Sequence, residues 1–485
     1  MKLALLSDLG TKPTRLGRLK NNNRSSGALY ICELARQNDV DATNIDYWTE
    51  WDISLLEESL LTWFSDDREP WIALSGSIDG SSTDSFKLLT KNLKQKLPNL
   101  KVMLGGYRVP VGDVSWVDIS FIGRCVNIFE SWLKKEDISK FLFYNNPPTY
   151  KNPPGVIMEG PVNPIISKTD FWDSKETLTL ELALGCKFNC SFCGYDFRNN
   201  KRAAISTEEY LLEALNNAYE KFGITNFMLA DDTLNEVDNK LILLGNVVEK
   251  LSFSPTFAGF ARLDVVGAKP YQIDLMRKAN LRSIFFGIES LNPNATKMIR
   301  KGGSLENKYN IMEIFRDEFP ECFTYGNFIV GLTGDSEKDI WYNAEKIVNE
   351  NLLTSAGCNP LRLYQDLKNP DVMSDIDKDP ARFGYTVLDN QREWKELGYA
   401  SRGWKNDWTD VNEAEKISSK LDNYYAQFLT SKYTAHEILG VQALMPGLDT
   451  SAYNNTVSLS NRIRDNVVSK YIKNKSNWLK GILNE

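Results

Sequence analysis

The sequence predicts an α/β protein in which two successive groups of parallel strands and helices precede a mostly helical C-terminal region. Two observations support this prediction. Short apolar runs alternate with amphipathic runs in the first third of the chain and again in the middle third. A proline-rich stretch from Asn145 to Pro164 separates the two groups and is typical of a linker. The predicted regions are therefore 1–140, a linker over 141–175, 176–355 and 356–485.

The first group, residues 1–140, predicts a Rossmann-like open parallel sheet. Small residues directly follow several of its strands, namely Gly76 and Ser77, Gly105 and Gly106, and Gly123. At the carboxyl edge of an open sheet such residues let a flat ligand or a phosphate approach the backbone, although tight turns use them too. The expected strands are Leu3–Ser7, Trp71–Ser75, Val102–Leu104 and Val117–Ile122, and the expected helices are Gly27–Arg36 and Ser85–Leu97.

The second group, residues 176–355, predicts a parallel sheet covered by helices. In parallel barrels the chemistry lies where strands end, so polar residues at those positions are candidates for a site. They are Asp231, Asp232, Arg262, Asp264, Glu289 and Ser290, while Asn327 lies inside a strand. The expected strands are Thr177–Leu184, Thr225–Ala230, Phe257–Ala261, Ser283–Ile288 and Phe323–Leu332, and the expected helices are Thr207–Phe222, Lys240–Leu251, Tyr271–Ala279 and Glu337–Glu350.

Three cysteines follow the first strand of the second group. Cys186, Cys190 and Cys193 have the spacing C-x3-C-x2-C, with the aromatic residue Phe192 just before the last cysteine. This spacing suits one loop folded round three corners of a [4Fe-4S] cluster. The fourth iron would then have no protein ligand and could bind a reactive molecule, whereas an electron-carrying cluster normally has four protein ligands.

Two simpler metal sites compete with this interpretation. A structural zinc site takes four Cys or His ligands, but the chain has one histidine, His436, and its other cysteines are isolated from one another. A ferredoxin-type carrier needs a fourth cysteine nearby, and the nearest candidate, Cys125, lies in the first group. We therefore favour the cluster with one open iron. A catalytic thiol at Cys358 is a further alternative, although isolated cysteines are more often small buried residues.

The cysteine spacing with its aromatic residue resembles that of the radical SAM enzymes. Three further segments, Phe257–Asp264, Phe286–Ser290 and Phe328–Gly334, resemble stock segments of one branch of that family and follow in the expected order. The resemblance implies a partial (β/α)6 barrel. It also implies that the amino and carboxylate groups of S-adenosylmethionine (SAM) bind the open iron, and that SAM is cleaved to a 5′-deoxyadenosyl radical.

The resemblance further implies how the strand ends contact SAM. Arg262 is expected to pair with the carboxylate, because a guanidinium suits that geometry, and the acidic residues are expected to take the ammonium or the ribose hydroxyls. Gly194 and Ser290 are expected to shape the backbone rather than contact the ligand. Salt bridges at the rim are the alternative for the charged residues. The residues expected at SAM are Phe192, Gly194, Asp231, Asp232, Arg262 and Glu289.

The series Ala73–Ser77, Leu104–Tyr107 and Asp118–Gly123 resembles the cobalamin-binding domain that precedes the radical SAM core in one subfamily. No histidine is available before His436 to ligate cobalt, and Gly123 is followed by Arg124 where acidic residues would be usual. A domain that keeps this fold without cobalamin is therefore the alternative. The resemblance implies that the nucleotide tail of cobalamin lies near Ser75, Ser77, Gly105 and Gly106.

The expected function is that of a cobalamin-dependent radical SAM methyltransferase acting on an unactivated carbon of a small-molecule or natural-product-like substrate. One alternative is a cobalamin-independent radical SAM enzyme that catalyses an oxidation, cyclisation or rearrangement and has a structural N-terminal domain. Another is a non-enzymatic iron-sulfur protein. A methylthiotransferase would need three further cysteines in the N-terminal domain, which has only Cys32 and Cys125.

The composition fits a soluble, cytoplasmic protein. Of 485 residues 42% are apolar, and no run approaches the roughly 18 apolar residues of a membrane span. Seven cysteines that look unpaired and an oxygen-sensitive cluster favour a reducing compartment, and a reductant such as flavodoxin or ferredoxin is the expected partner. The net charge of −7 gives no reason to expect a nucleic-acid surface. The start, Met1–Leu6, predicts a strand rather than a signal peptide.

The C-terminal region, 356–485, predicts a helix over Val411–Leu429. Before it, Arg402–Trp408 combines aromatic and charged residues, as a lid or as ordinary packing would, and we favour packing. His436 is expected to be structural. This region is expected to determine the substrate, but it indicates no catalytic residue.

Overall fold

The computed structural model describes residues 1–8, 19–20, 22–75, 82–106, 109, 114–152, 160–194, 204–366, 373–394, 399–447 and 457–483. The chain divides into two compact units. The first comprises Met1–Leu180, Glu209–Thr225 and Val457–Glu485, and the second comprises Glu181–Glu208 and Asn226–Thr456. Across these described ranges, no helix combines the length and the apolar character needed to cross a bilayer.

Strands and helices alternate along the first unit. Seven of its strands form one sheet in the order β2-β1-β3-β4-β5-β7-β6, which is parallel except for the antiparallel β6–β7 hairpin at its edge. The elements are β1 (Lys2–Leu6), α1 (Ser26–Gln37), β2 (Asp41–Ile45), α2 (Ile53–Trp63), β3 (Trp71–Ser75), α3 (Ser82–Lys96), β4 (Lys101–Gly106), β5 (Ile119–Ile122), α4 (Val126–Leu133), β6 (Leu142–Asn145), β7 (Pro148–Lys151), β8 (Leu178–Leu180), α5 (Glu208–Phe222) and α15 (Val457–Leu479).

Both faces of this sheet are covered by apolar side chains. Successive residues of a strand point to opposite faces, so Leu3 of β1 belongs to one core and Ala4 to the other. One core includes residues of α1 and α4, and the other includes residues of α2, α3 and α15. The open parallel sheet that the sequence predicted for this part of the chain is therefore present.

The predicted linker needs a correction, because residues 142–151 form the β6–β7 hairpin. Proline has no N–H to donate to a sheet, which is why this stretch looked like a linker. Here Pro147 lies in the hairpin turn and Pro148 starts β7, positions where strand prolines are tolerated. The predictions also missed β2, α2 and α4, and they placed the start of β5 two residues too early.

The second unit is built round a parallel sheet. Five strands of this unit lie side by side in the order β11-β12-β13-β14-β15. Three later strands form an antiparallel sheet in the order β16-β18-β17. The elements are β9 (Ala183–Leu184), β10 (Ala204–Ile205), β11 (Asn226–Leu229), α6 (Asp238–Lys250), β12 (Thr256–Ala261), α7 (Leu263–Ala268), α8 (Gln272–Lys278), β13 (Leu281–Glu289), α9 (Pro293–Met298), α10 (Leu305–Glu318), β14 (Phe323–Val330), α11 (Glu337–Asn349), β15 (Ser355–Pro360), β16 (Leu363–Asp366), α12 (Asp375–Lys378), β17 (Thr386–Trp394), β18 (Tyr399–Lys405), α13 (Val411–Phe428) and α14 (Ala435–Leu444).

The predicted alternation of strands and helices holds in this unit, with three differences. The strand expected over Thr177–Leu184 is interrupted between β8 and β9. Strands β10 and β15 to β18 and helices α7, α9, α10 and α12 were missed. Strand β14 ends at Val330 because Gly331 has a φ of +100°, and a Cβ at this position would lie 2.3 Å from the ring of Trp404. Only glycine tolerates both the left-handed backbone and this close approach.

The segment Arg402–Trp408 begins in β18 and does not form a lid. Its two tryptophans pack against residues that follow strands β14 and β15. Trp404 is fully buried, and its indole N–H donates to the carbonyl of Leu361 at 3.0 Å. The indole N–H of Trp408 donates to the carbonyl of Leu332 at 2.9 Å. Ordinary packing was therefore the correct interpretation of the two tryptophans. His436 lies in α14 against Phe260 and Phe285, and burial lowers its pKa to about 4.

Candidate active site

The three cysteines lie in a loop that leaves β9 at Gly185, whose φ of +94° lies in the region that favours glycine. None of the three cysteines forms a disulfide, and all three are partly exposed. The loop is anchored in its middle by Ser191, which is fully buried. The Ser191 hydroxyl donates to the carbonyl of Met298 at 3.1 Å, and its backbone N–H donates to the carbonyl of Ile299.

The three thiols line one cavity of about 200 Å³. The prediction that the cysteines and several strand ends meet is therefore supported by the geometry. Gly194 is not among the described residues that form the wall of this cavity. The remaining lining residues are Phe188, Phe192, Asp232, Thr233, Phe260, Ala261, Arg262, Phe285, Gly287, Glu289 and Lys301.

The donor set fits an iron-sulfur cluster. Thiolates from one short loop are its usual ligands. Within the described ranges, no three His, Cys, Asp or Glu side chains converge as they would round a single metal ion. In a cubane cluster the cysteines bind different irons, so their sulfur atoms stand apart and need not converge on one point.

Asp231 does not face this cavity, which corrects its predicted contact with SAM. The side chain is almost fully buried, and its Oδ1 accepts the backbone N–H of Ala183 at 2.7 Å. Its Oδ2 lies 3.2 Å from Nζ of Lys240. Burial raises the pKa of Asp231, while Lys240 opposes this shift. Asp231 thus holds the segment before the cysteine loop instead of a ligand.

Lys240 joins the cysteine loop to the strand ends and was missed by the sequence analysis. Its side chain is fully buried, its Nζ lies 2.8 Å from Oε1 of Glu236, and it donates to the carbonyl of Thr233 at 3.1 Å. Glu236 in turn accepts the backbone N–H of Lys187 at 2.8 Å. Burial disfavours the ammonium, but Asp231 and Glu236 outweigh it and raise the pKa of Lys240.

These contacts bracket the first cluster cysteine. One carboxylate bonded to Lys240 holds the backbone N–H of Ala183, and the other holds that of Lys187, so Cys186 lies between two fixed points. The spacing of Glu236 and Lys240, four residues apart, was visible in the sequence. That spacing is typical of a surface ion pair on a helix, so it gave no sign of a buried role.

Arg262 lines the same cavity as the three cysteines. Its Nε and Nη2 donate to the two carboxylate oxygens of Asp264 at 3.0 and 2.6 Å. Its Nη1 donates to Sγ of Cys190 at 3.2 Å, and the guanidinium lies 3.9 Å from the ring centre of Phe188. Two of the guanidinium nitrogens are thus paired with Asp264, and the contact of Arg262 with the carboxylate of SAM stays a prediction.

Glu289 ends β13 in a strained conformation. Its φ of +66° lies in the left-handed region that residues other than glycine seldom adopt, next to a register shift between β13 and β14. Its Oε1 lies 3.0 Å from Nζ of Lys301, and its Oε2 lies 3.4 Å from the amide nitrogen of Asn327. Glu289 thus presents a buried carboxylate to the cavity, and its contact with SAM stays a prediction.

Two other charged residues complete the wall. Asp232 is exposed and lies beside Thr233, whose hydroxyl is 3.7 Å from Sγ of Cys186. Lys301 is nearly buried and was missed by the sequence analysis. Its position just before Gly302 and Gly303 was the available signal, because paired glycines after a strand-helix unit often let the chain approach a ligand.

Cys358 does not face the cysteine cavity. It is buried in β15, and its backbone N–H donates to Asp422 at 2.7 Å. The side chain lines a separate cavity of about 20 Å³, which has room for no more than a water molecule. This position does not suit the alternative of a catalytic thiol.

A second candidate site lies in the first unit, at the carboxyl edge of its sheet. Ser75 ends β3 and is the cross-strand neighbour of Gly105 in β4. Among the described residues, a Cβ on Gly105 would meet no atom within 4 Å, and Gly106 has a φ of +123°. Ser77 lies outside the described residues. Three of the four residues predicted to contact cobalamin therefore share one edge, and no described atom lies over Gly105.

Comparison with known protein families identifies the central part of the chain. Residues 180–347 match the radical SAM superfamily. The chain contains a radical SAM domain. This domain includes the cysteine loop, the buried Lys240 and the strained Glu289.

Curated relatives match part of the chain. An uncharacterised methyltransferase, PH0819 of Pyrococcus horikoshii, is 22% identical over 156 residues, which is 32% of this chain and 33% of that protein. The chain thus spans about a third of the length of this curated relative. The matched part is similar to a methyltransferase in sequence.

Solved structures match the fold over nearly the whole chain. The radical S-adenosylmethionine methyltransferase TsrM from Kitasatospora setae, with cobalamin and a [4Fe-4S] cluster bound, covers 96% of this chain and 99% of its own, with a TM-score of 0.60 and 11% identity. The cobalamin-dependent S-adenosylmethionine radical enzyme OxsB, with aqua-cobalamin and S-adenosylmethionine bound, covers 100% of this chain and 81% of its own, with a TM-score of 0.57 and 13% identity. The predicted fold class is confirmed.

Proposed function

We propose that this protein is a cobalamin-dependent radical SAM methyltransferase that acts on an unactivated carbon of a small molecule. The observation that carries the proposal is one cavity lined by three cysteines of a single loop and by charged residues at the ends of parallel strands. Strand ends are where parallel α/β proteins place their chemistry. The radical SAM domain over residues 180–347 supports this assignment.

Cys186, Cys190 and Cys193 would hold a [4Fe-4S] cluster through three of its irons. When bound, the cluster supplies the electron that cleaves SAM to a 5′-deoxyadenosyl radical. The chain's own contribution is to present three thiolates from a loop fixed by Ser191 on one side and by Asp231 and Glu236 on the other.

SAM would lie in the cysteine cavity, where charges of both signs are available. We propose that Asp232 and Glu289 take its ammonium or ribose hydroxyls and that Lys301, rather than Arg262, faces its carboxylate. Phe192, Phe260 and Phe285 give the same cavity an apolar wall that excludes water.

Cobalamin would bind at the edge formed by Ser75, Gly105 and Gly106, with Ser77 as a further proposed contact. When bound, it supplies the carrier of the methyl group. The similarity of fold to TsrM and OxsB, both solved with cobalamin, supports this part of the proposal, as does the absence of any described atom over Gly105. The first unit contains no histidine, so its side chains would not give cobalt an imidazole ligand.

The substrate is proposed to be a small molecule, and TsrM has been solved with its tryptophan substrate and a SAM analogue bound. An external electron donor of the flavodoxin or ferredoxin type is the proposed partner, in a reducing cytoplasm. Such a donor is needed because reductive cleavage of SAM consumes an electron, which the cluster must receive from outside the protein.

Anaerobic reconstitution tests the proposal directly. We expect about four irons per chain and formation of 5′-deoxyadenosine when SAM and a reductant are added. The variant Cys190→Ala should lose this activity, whereas Cys322→Ala, which removes a buried thiol outside the cavity, should keep it. Activity of Cys190→Ala equal to that of the unmodified protein would refute the cluster site.

A separate experiment tests cobalamin. Hydroxocobalamin should remain bound through gel filtration, with one equivalent in the visible spectrum of the protein peak. If SAM is cleaved but cobalamin is not retained, the protein is instead a cobalamin-independent radical SAM enzyme, whose first unit is structural.

A further inference from the structure

We propose that Arg262 sets the reduction potential of the cluster by donating an N–H to the sulfur of Cys190, and that Asp264 fixes it in that position. This inference rests on the proposed cluster site. Arg262 would then act on the cluster and not on the carboxylate of SAM, which its position in the sequence had suggested.

The guanidinium is held by Asp264. Two of its nitrogens donate to the two oxygens of this carboxylate at 3.0 and 2.6 Å, and both side chains are nearly buried. Asp264 is itself fixed, because its Oδ2 also accepts the backbone N–H of Gly302 at 2.8 Å. A bidentate pair of this kind fixes the plane of the guanidinium as well as its distance.

The third nitrogen of the guanidinium is thereby directed at the cluster loop. Nη1 lies 3.2 Å from Sγ of Cys190, and the face of the guanidinium lies 3.9 Å from the ring centre of Phe188. Phe188 comes from the same loop, midway between Cys186 and Cys190. The guanidinium is therefore fixed by three contacts, with the carboxylate of Asp264, the ring of Phe188 and the sulfur of Cys190.

This contact favours the reduced cluster. Reduction adds one negative charge, which is spread over the irons and the sulfurs. A hydrogen bond to a ligand sulfur and a nearby positive charge both stabilise that charge, and they are recognised determinants of cluster potentials. Because the site is partly buried, the interaction is weakened less by solvent than it would be at the surface. Arg262 is therefore expected to make the cluster easier to reduce.

The test is the midpoint potential of the cluster, measured by anaerobic titration monitored by electron paramagnetic resonance, without SAM. In Arg262→Met we expect at least a tenfold lower ratio of reduced to oxidised cluster at a fixed potential. For a one-electron couple this corresponds to a midpoint potential that is lower by about 59 mV. Arg262→Lys keeps the charge but cannot donate to Asp264 and Cys190 with the same planar geometry, so its potential should lie between the two.

The matched control is Arg277→Met, which removes the same charge from α8, where Arg277 is partly exposed and pairs with Asp274. Its potential should equal that of the unmodified protein. Iron is measured first in every sample. If the unmodified protein lacks about four irons, the proposed function fails before this inference is tested.

Two results would overturn the inference. One is an unchanged potential in both Arg262 variants, accompanied by a higher dissociation constant for SAM, which would return Arg262 to the carboxylate. The other is failure of both variants to hold a cluster although Arg277→Met holds one, which would make Arg262 a residue for cluster assembly rather than for potential.

Discussion

Each unit of the protein contains a buried cation that pairs with two carboxylates, and these two cations have different roles. Arg24 lies in the first unit and Lys240 in the second, and each contacts two carboxylates. A buried charge is tolerated only when its donors are paired, and both cations meet this condition. Arg24 bonds to Glu176 and Asp46, and Lys240 bonds to Asp231 and Glu236.

The partners of the two cations show the difference. The five N–H donors of Arg24 go to Glu176 twice, to Asp46, and to the carbonyls of Asp170 and Phe171. Aromatic rings of Trp172 and Tyr471 lie 4.4 and 4.3 Å from its guanidinium. This network joins separate segments of the first unit to one another. The network of Lys240 ends instead at the backbone N–H groups of Ala183 and Lys187, on both sides of Cys186. The same kind of buried ion pair therefore holds the cysteine loop in place.

The largest expected loss of stability is that of Arg24→Met. Removing one partner of a buried pair costs about 3–5 kcal/mol, because the remaining charge stays buried and unpaired. Two carboxylates and two carbonyls lose a donor here, so we expect a value near the upper end, about 5 kcal/mol. Urea unfolding followed by tryptophan fluorescence measures it. Under conditions where the variant is folded, it should still take up about four irons.

Lys240→Met is expected to cost somewhat less stability, about 4 kcal/mol, and to lose the cluster as well. The carboxylates of Asp231 and Glu236 would repel each other and release the backbone on both sides of Cys186. Iron per folded chain after reconstitution should fall below half of the normal value. Equal iron content in Lys240→Met and Arg24→Met would remove the distinction between the two networks.

Lys250→Met is the control on the same helix. Lys250 pairs with Glu208, but its side chain is 57% exposed, and exposed ion pairs contribute about 0–1 kcal/mol. Its loss should leave both the free energy of unfolding and the iron content nearly unchanged. A large loss of either would indicate that α6 is sensitive to any substitution, independently of burial.

A buried carboxylate held without a cation among its described contacts gives a smaller, pH-dependent effect. Asp335 accepts the hydroxyl of Ser290 at 2.8 Å and the backbone N–H of Ser336. Burial raises its pKa to about 6, above the value of 3.8 expected in the unfolded chain. Between pH 3.8 and about 6, the folded state keeps a proton on Asp335 that the unfolded state releases. The stabilisation that this bound proton gives at low pH is therefore lost as the pH rises through about 6.

Asp335→Asn should remove this slope. Between pH 5 and pH 7 the free energy of unfolding of the unmodified protein should fall relative to that of the variant, by on the order of 1 kcal/mol. Urea unfolding of both proteins at the two pH values measures the difference. Parallel pH profiles would show that Asp335 is ionised in the folded protein and has a partner that offsets its burial.

The smallest effect on stability is expected at the edge of the first sheet. Gly105→Ala places a methyl group where no described atom lies within 4 Å, so the free energy of unfolding should change by no more than about 0.5 kcal/mol. Gly105→Val adds bulk at the same position and should lower retention of hydroxocobalamin at least tenfold. Retention equal to that of Gly105→Ala would indicate that cobalamin does not approach β4.

Much of the fold could be predicted from local pattern. The alternation of apolar and amphipathic runs located β1, β3, β4 and the strands β11 to β14, because periodicity is a property of neighbouring residues. The elements that were missed have weaker local signals. Strand β2 begins with an exposed aspartate, and the β6–β7 hairpin carries the prolines that suggested a linker.

For the site, the sequence by itself determined the chemistry. The spacing of Cys186, Cys190 and Cys193 indicated the cluster, and the positions after strands indicated Asp232 and Glu289, because both signals depend on short stretches of chain. The tertiary structure alone decided the partners of the charged residues. Asp264 takes the guanidinium of Arg262, and Lys240 takes the carboxylate of Asp231. Such pairing depends on which groups folding brings within about 3 Å in a buried place, and a linear sequence does not contain those distances.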